Sequence, residues 1–141
     1  MIAQFNPSVG DIDKNTLYIR ESHDRANINK VDLLAFPEMC LTGYQIQDLA
    51  LKRAFMFEVE KKIQELKVDL KGGVPILLGA PVWENGYLYN AYHLIEDGKH
   101  SIVSRKHHLP NTNVFDEKRV FLSGKISGPF EIRGVKIGSP I

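Results

Sequence analysis

The sequence predicts an α/β domain: a mixed sheet made of strand–helix units and continued by an antiparallel meander. Three observations point there. The apolar runs VDLLAF (31–36) and VPILLGAPVW (74–83) read as strands buried on both faces, as in a mixed sheet covered by helices. An amphipathic segment lies between them. Asn85-Gly86 and Asp97-Gly98 then punctuate alternating segments in the manner of hairpin turns.

Taken in order, IAQF (2–5) is a short apolar run stopped by the turn chemistry of NPSVGD. Residues 13–28 tolerate a helix, with Leu17, Ile19 and Ala26 as its candidate buried positions. The strand at 31–36 follows, and Gly43 and Tyr44 lead toward the clearest helix. There Leu51, Phe55, Val59, Ile63, Leu66 and Leu70 fall on one face at spacings of three and four. Lys52, Glu58, Lys61, Lys62, Glu65 and Lys67 belong to its solvent side, and Lys71-Gly72-Gly73 ends it. After the strand at 74–83, residues 87–95 answer as the return strand and 100–106 as a third. Residues 107–121 read as an ordered loop, and 129–141 as two short strands folded about Arg133-Gly134. No repeat, low-complexity segment or linker interrupts the chain.

The 141 residues suffice for one domain with a real core, and 43% hydrophobic with 25% charged residues is ordinary for a globular protein. A formal net charge of +1 gives no field that would draw the chain to nucleic acid or a membrane surface. No apolar stretch approaches the roughly 20 residues of a membrane helix. The N-terminus lacks the charged start and apolar middle of a secretory signal. One cysteine excludes an internal disulfide and fits a reducing compartment, so the expectation is a cytoplasmic protein.

Five residues draw chemical attention. Glu38 follows a buried strand directly, where ligands of α/β sheets bind; it reads as a general base, or as an exposed loop or helix-start acid. Lys106 ends the third meander strand. It can aim a fixed charge at a developing oxyanion, or be a surface lysine in the basic run 104–108. His107 and His108, adjacent on an extended segment, are expected to point to opposite sides and to make a poor metal pair, and no metal site is expected. Cys40 lies two residues from Glu38, but a lone cysteine is more often an inert apolar filler than a nucleophile.

The ordered set AQFNPSVGDIDKN (3–15), FPEMCLTGYQIQDL (36–49), GAPVWENGYLYNAYHLIEDGK (79–99), RKHHLPN (105–111), FDEKRVF (115–121) and VKIGSPI (135–141) resembles the nitrilase, or carbon–nitrogen hydrolase, superfamily. The Leu-Thr-Gly-Tyr step and the Phe-Asp-Glu-Lys-Arg run are similar to the glutamine-hydrolysing domain of glutamine-dependent NAD synthetases. The resemblance implies a partial α-β-β-α sandwich. It also implies a Glu–Lys–Cys triad whose first two members fall on Glu38 and Lys106. The cysteine would follow Ser139-Pro140-Ile141, so residues 1–141 would be the N-terminal part of such a domain, stopping short of the nucleophile, and Cys40 matches a different family position. Tyr44 would lie near the substrate, and Glu117 would orient Lys106 or the substrate.

In the intact domain, the resemblance implies, glutamine is hydrolysed and its ammonia amidates deamido-NAD. That step needs a synthetase domain outside this chain, with its ATP and magnesium; the chain itself would need no cofactor. Family members commonly self-associate, which implies a homo-oligomer. Residues 1–141 alone are expected to be inactive. A stand-alone amidase of the superfamily, or a non-catalytic remnant serving as an interaction module, are the alternatives.

Overall fold

A computed structural model describes residues 1–141. Helix α1 (Ile12–Ile28) begins at Asp11, whose side chain accepts a hydrogen bond from the Lys14 N–H and so satisfies one free donor of the first turn. Its buried face is Ile12, Asn15, Thr16, Ile19, Ser22, His23 and Ala26. Four of the seven are polar, so the buried face carries little apolar period. They are buried because they are bonded: Asn15 Nδ2 donates to Ser8 O and Leu41 O, and His23 Nε2 meets Val74 O at 3.0 Å. Ile19 and Ala26 are buried as expected, but Leu17 is exposed, because it lies on the other side of the helix from Asn15, Ile19 and Ala26.

Strand β1 covers only Leu34–Ala35, shorter than the six-residue run, although Phe36 N–H still bonds Leu77 O. The run at 2–5 contributes a single parallel bridge, Ile2 to Ala35. A short 3-10 helix (Gln47–Leu51) precedes α2 (Arg53–Asp69). Val59, Ile63 and Leu66 are buried on α2, each stabilising the fold by roughly 1.5–3 kcal/mol. Leu51 falls outside α2 and is exposed, and Met56 takes a buried place instead. Lys62, expected in water, is mostly covered because it bridges Asp13 of α1 and Glu65 at 2.9 and 3.0 Å.

Strands β2 (Ile76–Glu84), β3 (Tyr87–Glu96) and β4 (Lys99–Arg105) form the meander. The sheet order is β1-β2-β3-β4, parallel between β1 and β2 and antiparallel thereafter. Both tight turns use two consecutive positive φ values, 51° and 84° at Asn85-Gly86 and 45° and 73° at Asp97-Gly98, the twist-matched hairpin geometry. The expected loop at 107–121 contains a four-residue helix, α3 (Glu117–Val120), too short to leave a periodic signal. Strands β5 (Phe130–Ile132) and β6 (Val135–Ile137) pair about Arg133-Gly134.

The result is three layers. The main core, including Ile19, Leu34, Phe36, Val59, Leu66, Ile76 and Leu78, lies between the sheet and α1 and α2. On the opposite face Leu77 and Leu94 pack with Ile132, Phe130 and Ile137 of the β5–β6 hairpin. No helix is long and apolar enough to cross a membrane.

On the helix face His93 is fully buried. Its Nδ1 lies 2.9 Å from His100 Nε2 and its Nε2 3.1 Å from Ala80 O. Burial, reinforced by His100, pushes the His93 imidazole down from 6.5 to about 3. The unfolded chain therefore binds a proton that the folded chain refuses. Stability from this group is complete above about pH 6.5 and falls toward about pH 3, by up to about 1.4 kcal/mol per pH unit. His93→Gln, which cannot take up that proton, is expected to flatten this acid limb, as urea midpoints measured across the window will show.

Candidate active site

The backbone first brings the loop after β1 over β2. Gly79 makes that approach possible: a Cβ there would sit 2.4 Å from Pro37 O and 2.5 Å from Met39 N. Leu41 N–H and Cys40 Sγ both bond Gly79 O, at 3.2 and 3.5 Å. Residues 38–42 therefore form a turn, with Met39 at φ 53°, and not the extended backbone on which Glu38 and Cys40 would share a side.

Strand register brings the second group. From the Asp97-Gly98 turn the pairs run regularly to His93 opposite Ile102; then Tyr92 pairs with Ser104, leaving Val103 as an extra residue in a β-bulge. Ala91 pairs with Arg105, and Lys106 N–H donates to Asn90 O at 2.8 Å. Without the extra residue absorbed at Val103, Lys106 would stand opposite Tyr89 and face the helices. The bulge puts it beside Asn90 on the other face.

These elements converge. Lys106 Nζ is 2.8 Å from Glu38 Oε1 and 3.0 Å from Glu117 Oε1. Asn90 Nδ2 donates to Glu38 Oε1 at 2.6 Å, and Tyr44 O–H donates to Glu117 Oε1 at 2.6 Å. The Tyr44 ring lies 5.7 Å from the Lys106 ammonium, within cation–π range. Four of the residues singled out in the sequence, Glu38, Tyr44, Lys106 and Glu117, thus share one hydrogen-bonded cluster. Lys106 is not the solvated strand end that its basic neighbours imitate; it and Glu117 are buried, whereas Glu38 keeps 34% of its side-chain surface open.

The charges follow from these contacts. Burial works against the Lys106 ammonium, but the bonds to Glu38 and Glu117 outweigh it and raise its pKa above the ordinary lysine value. Lys106 is thus a fixed cation and not a base near neutral pH. Burial and the Glu117 contact push the Tyr44 hydroxyl well above its usual range, so it remains a donor.

Asn90 was missed in the sequence reading. The available signal was an amide among the apolar neighbours of YLYNAYHLI. It is buried, and its Oδ1 has no donor, like Glu117 Oε2. An unpaired buried acceptor costs about 1–3 kcal/mol.

Cys40 stands outside the cluster chemically. It is fully buried, and burial pushes its thiol up to about 12. His107 and His108 do not point apart: their rings meet edge to face with centroids 4.7 Å apart, because residues 106–108 have left the strand. His107 Nδ1 bonds Gly124 O at 2.7 Å, and no group of three potential ligands gathers there.

The carbon-nitrogen hydrolase family model matches residues 2–141. Glutamine-dependent NAD(+) synthetases from Rhodobacter capsulatus and Acinetobacter baylyi are 36% and 37% identical over 140 and 137 residues, covering 99% and 97% of the chain. The chain spans about a quarter of those relatives' length, 25% of each. The structure of glutamine-dependent NAD+ synthetase from Acinetobacter baumannii with adenosine diphosphate superposes with a TM-score of 0.86 at 34% identity, over 96% of this chain and 26% of that one. An amidase from Nesterenkonia sp. AN1 in complex with butyramide gives a TM-score of 0.78 at 18% identity, over 96% and 52%, a likeness of fold alone.

Proposed function

Since the chain belongs to the carbon-nitrogen hydrolase family, we propose that it supplies the base and the cation of a cysteine-dependent amide hydrolase acting on the side-chain amide of glutamine. The observation that carries the proposal is the contact of Lys106 with Glu38 and Glu117, groups 68 and 11 residues away along the chain. The glutamine-dependent NAD synthetases it resembles supply the substrate class.

In this reading Glu38 takes the proton of an attacking thiol, and the thiolate adds to the amide carbon. The oxyanion that forms is held by the Lys106 ammonium. Collapse breaks the C–N bond, Glu38 returns the proton to the leaving nitrogen, and ammonia departs. Glu38 then takes a proton from water as it hydrolyses the thioester, releasing glutamate and restoring the thiol. Glu117 and Tyr44 hold Lys106 in place. The thiol is not Cys40, which is sealed off and protonated; it comes from outside residues 1–141.

The ammonia serves amidation of deamido-NAD in a synthetase unit outside this chain, where ATP and magnesium belong. This centre needs no cofactor, because the charge that it must stabilise is met by an ammonium. The near-neutral net charge supports a site without nucleic-acid or membrane partners, and the single buried cysteine supports a cytoplasmic setting. Self-association is expected and is read by sedimentation.

The protein expressed from its complete reading frame is expected to release ammonia from L-glutamine. Glu38→Gln should reduce that about 10²–10⁴-fold. Residues 1–141 alone should release none. Ammonia release by residues 1–141 that Cys40→Ala abolishes would overturn the assignment of the thiol.

A further inference from the structure

We propose that Asn90 is the positioning residue of this centre: it fixes the Glu38 carboxylate so that Oε2 alone is left to receive the thiol proton. The inference rests on the function proposed above. Both hydrogen bonds to Glu38 end on Oε1, from Asn90 Nδ2 at 2.6 Å and from Lys106 Nζ at 2.8 Å. Only the amide nitrogen can sit that close to a carboxylate oxygen, so the orientation of the Asn90 side chain is determined. The two donors come from neighbouring positions of paired strands and prevent the carboxylate from swinging toward solvent, where it is one-third open.

The one protein hydrogen bond of the Asn90 side chain is the one to Glu38. Asn90 is buried on β3, and its Oδ1 meets no donor from the protein. A leucine, bulkier but branched at the same carbon, would remove the unpaired oxygen. What leucine cannot do is donate to Glu38. The main chain of Asn90 contributes as well, because its carbonyl accepts the Lys106 N–H. One residue therefore sets the relative position of base and cation, with the side chain on one and the backbone on the other.

The test separates positioning from packing. In the protein expressed from its complete reading frame, Asn90→Leu is expected to keep or raise the urea midpoint. It should lower kcat for glutamine about 10- to 100-fold, the scale of a misplaced catalytic group, with KM within about threefold. Asn90→Ala should show the same split if leucine does not fit. A kcat within about threefold of the unsubstituted protein overturns the inference, and so does a kcat that falls only with the folded fraction. If the unsubstituted protein does not turn over glutamine, the proposed function fails by itself. A crystal structure of Asn90→Leu then decides the positioning role: a Glu38 carboxylate turned away from Lys106 supports it, and one left in place overturns it.

Discussion

In the protein expressed from its complete reading frame, Lys106→Met is expected to destabilise the fold by about 3–5 kcal/mol and to lower the proposed glutamine turnover about 10²–10³-fold. The stability loss comes from what remains. Glu117 is 5% exposed and would keep only the Tyr44 hydroxyl as a partner, a buried carboxylate with no cation. Glu38, one-third open, can turn to water and contributes less. The double variant Lys106→Met/Glu117→Gln should therefore recover most of the stability and none of the activity, since the oxyanion still lacks its cation. Urea unfolding and ammonia release measure the two effects separately. A single variant within about 1 kcal/mol of the unsubstituted protein would show that the ammonium does not neutralise a buried charge.

The second large effect is one of register. Inserting one alanine between Ser104 and Arg105 leaves the Asp97-Gly98 turn and the bulge intact, so pairing holds through Tyr92 opposite Ser104. Beyond that point every side chain changes face. Arg105 then stands opposite Asn90, and Lys106 turns to the helix face, away from Glu38 and Glu117. Turnover is expected to fall at least about 10²-fold. Deleting Val103 should do much less, although it also shifts the chain by one. Val103 is the bulge's extra residue, and without it the ladder closes with Lys106 still opposite Asn90. Similar activities in the two variants would remove the bulge from its role in aiming Lys106.

The legible parts of this protein are those in which neighbours along the chain carry the signal. Asn85-Gly86 and Asp97-Gly98 fixed both hairpins because few other residues accept two positive φ values. Val59, Ile63 and Leu66 declared α2 through their spacing. Helix α1 was fainter because Asn15, Thr16, Ser22 and His23 are buried through hydrogen bonds, which leave no apolar period. The helix α3 was not foreseen because four residues give a single turn. Glu38 and Lys106 were marked by their places at strand ends, and Glu117 and Tyr44 by resemblance.

By itself, then, the sequence determined the α/β class and the order of the strand–helix units, and it marked Glu38 and Lys106 by their places at strand ends, because turn chemistry, period and motif are local properties. The tertiary structure alone decided three things. It placed the Lys106 ammonium between two carboxylates, it turned Lys106 to that face through the extra residue at Val103, and it gave Asn90 its contact with Glu38. Each depends on pairing between segments remote along the chain, and a one-residue change of register, which barely alters composition or period, reverses which side chains meet.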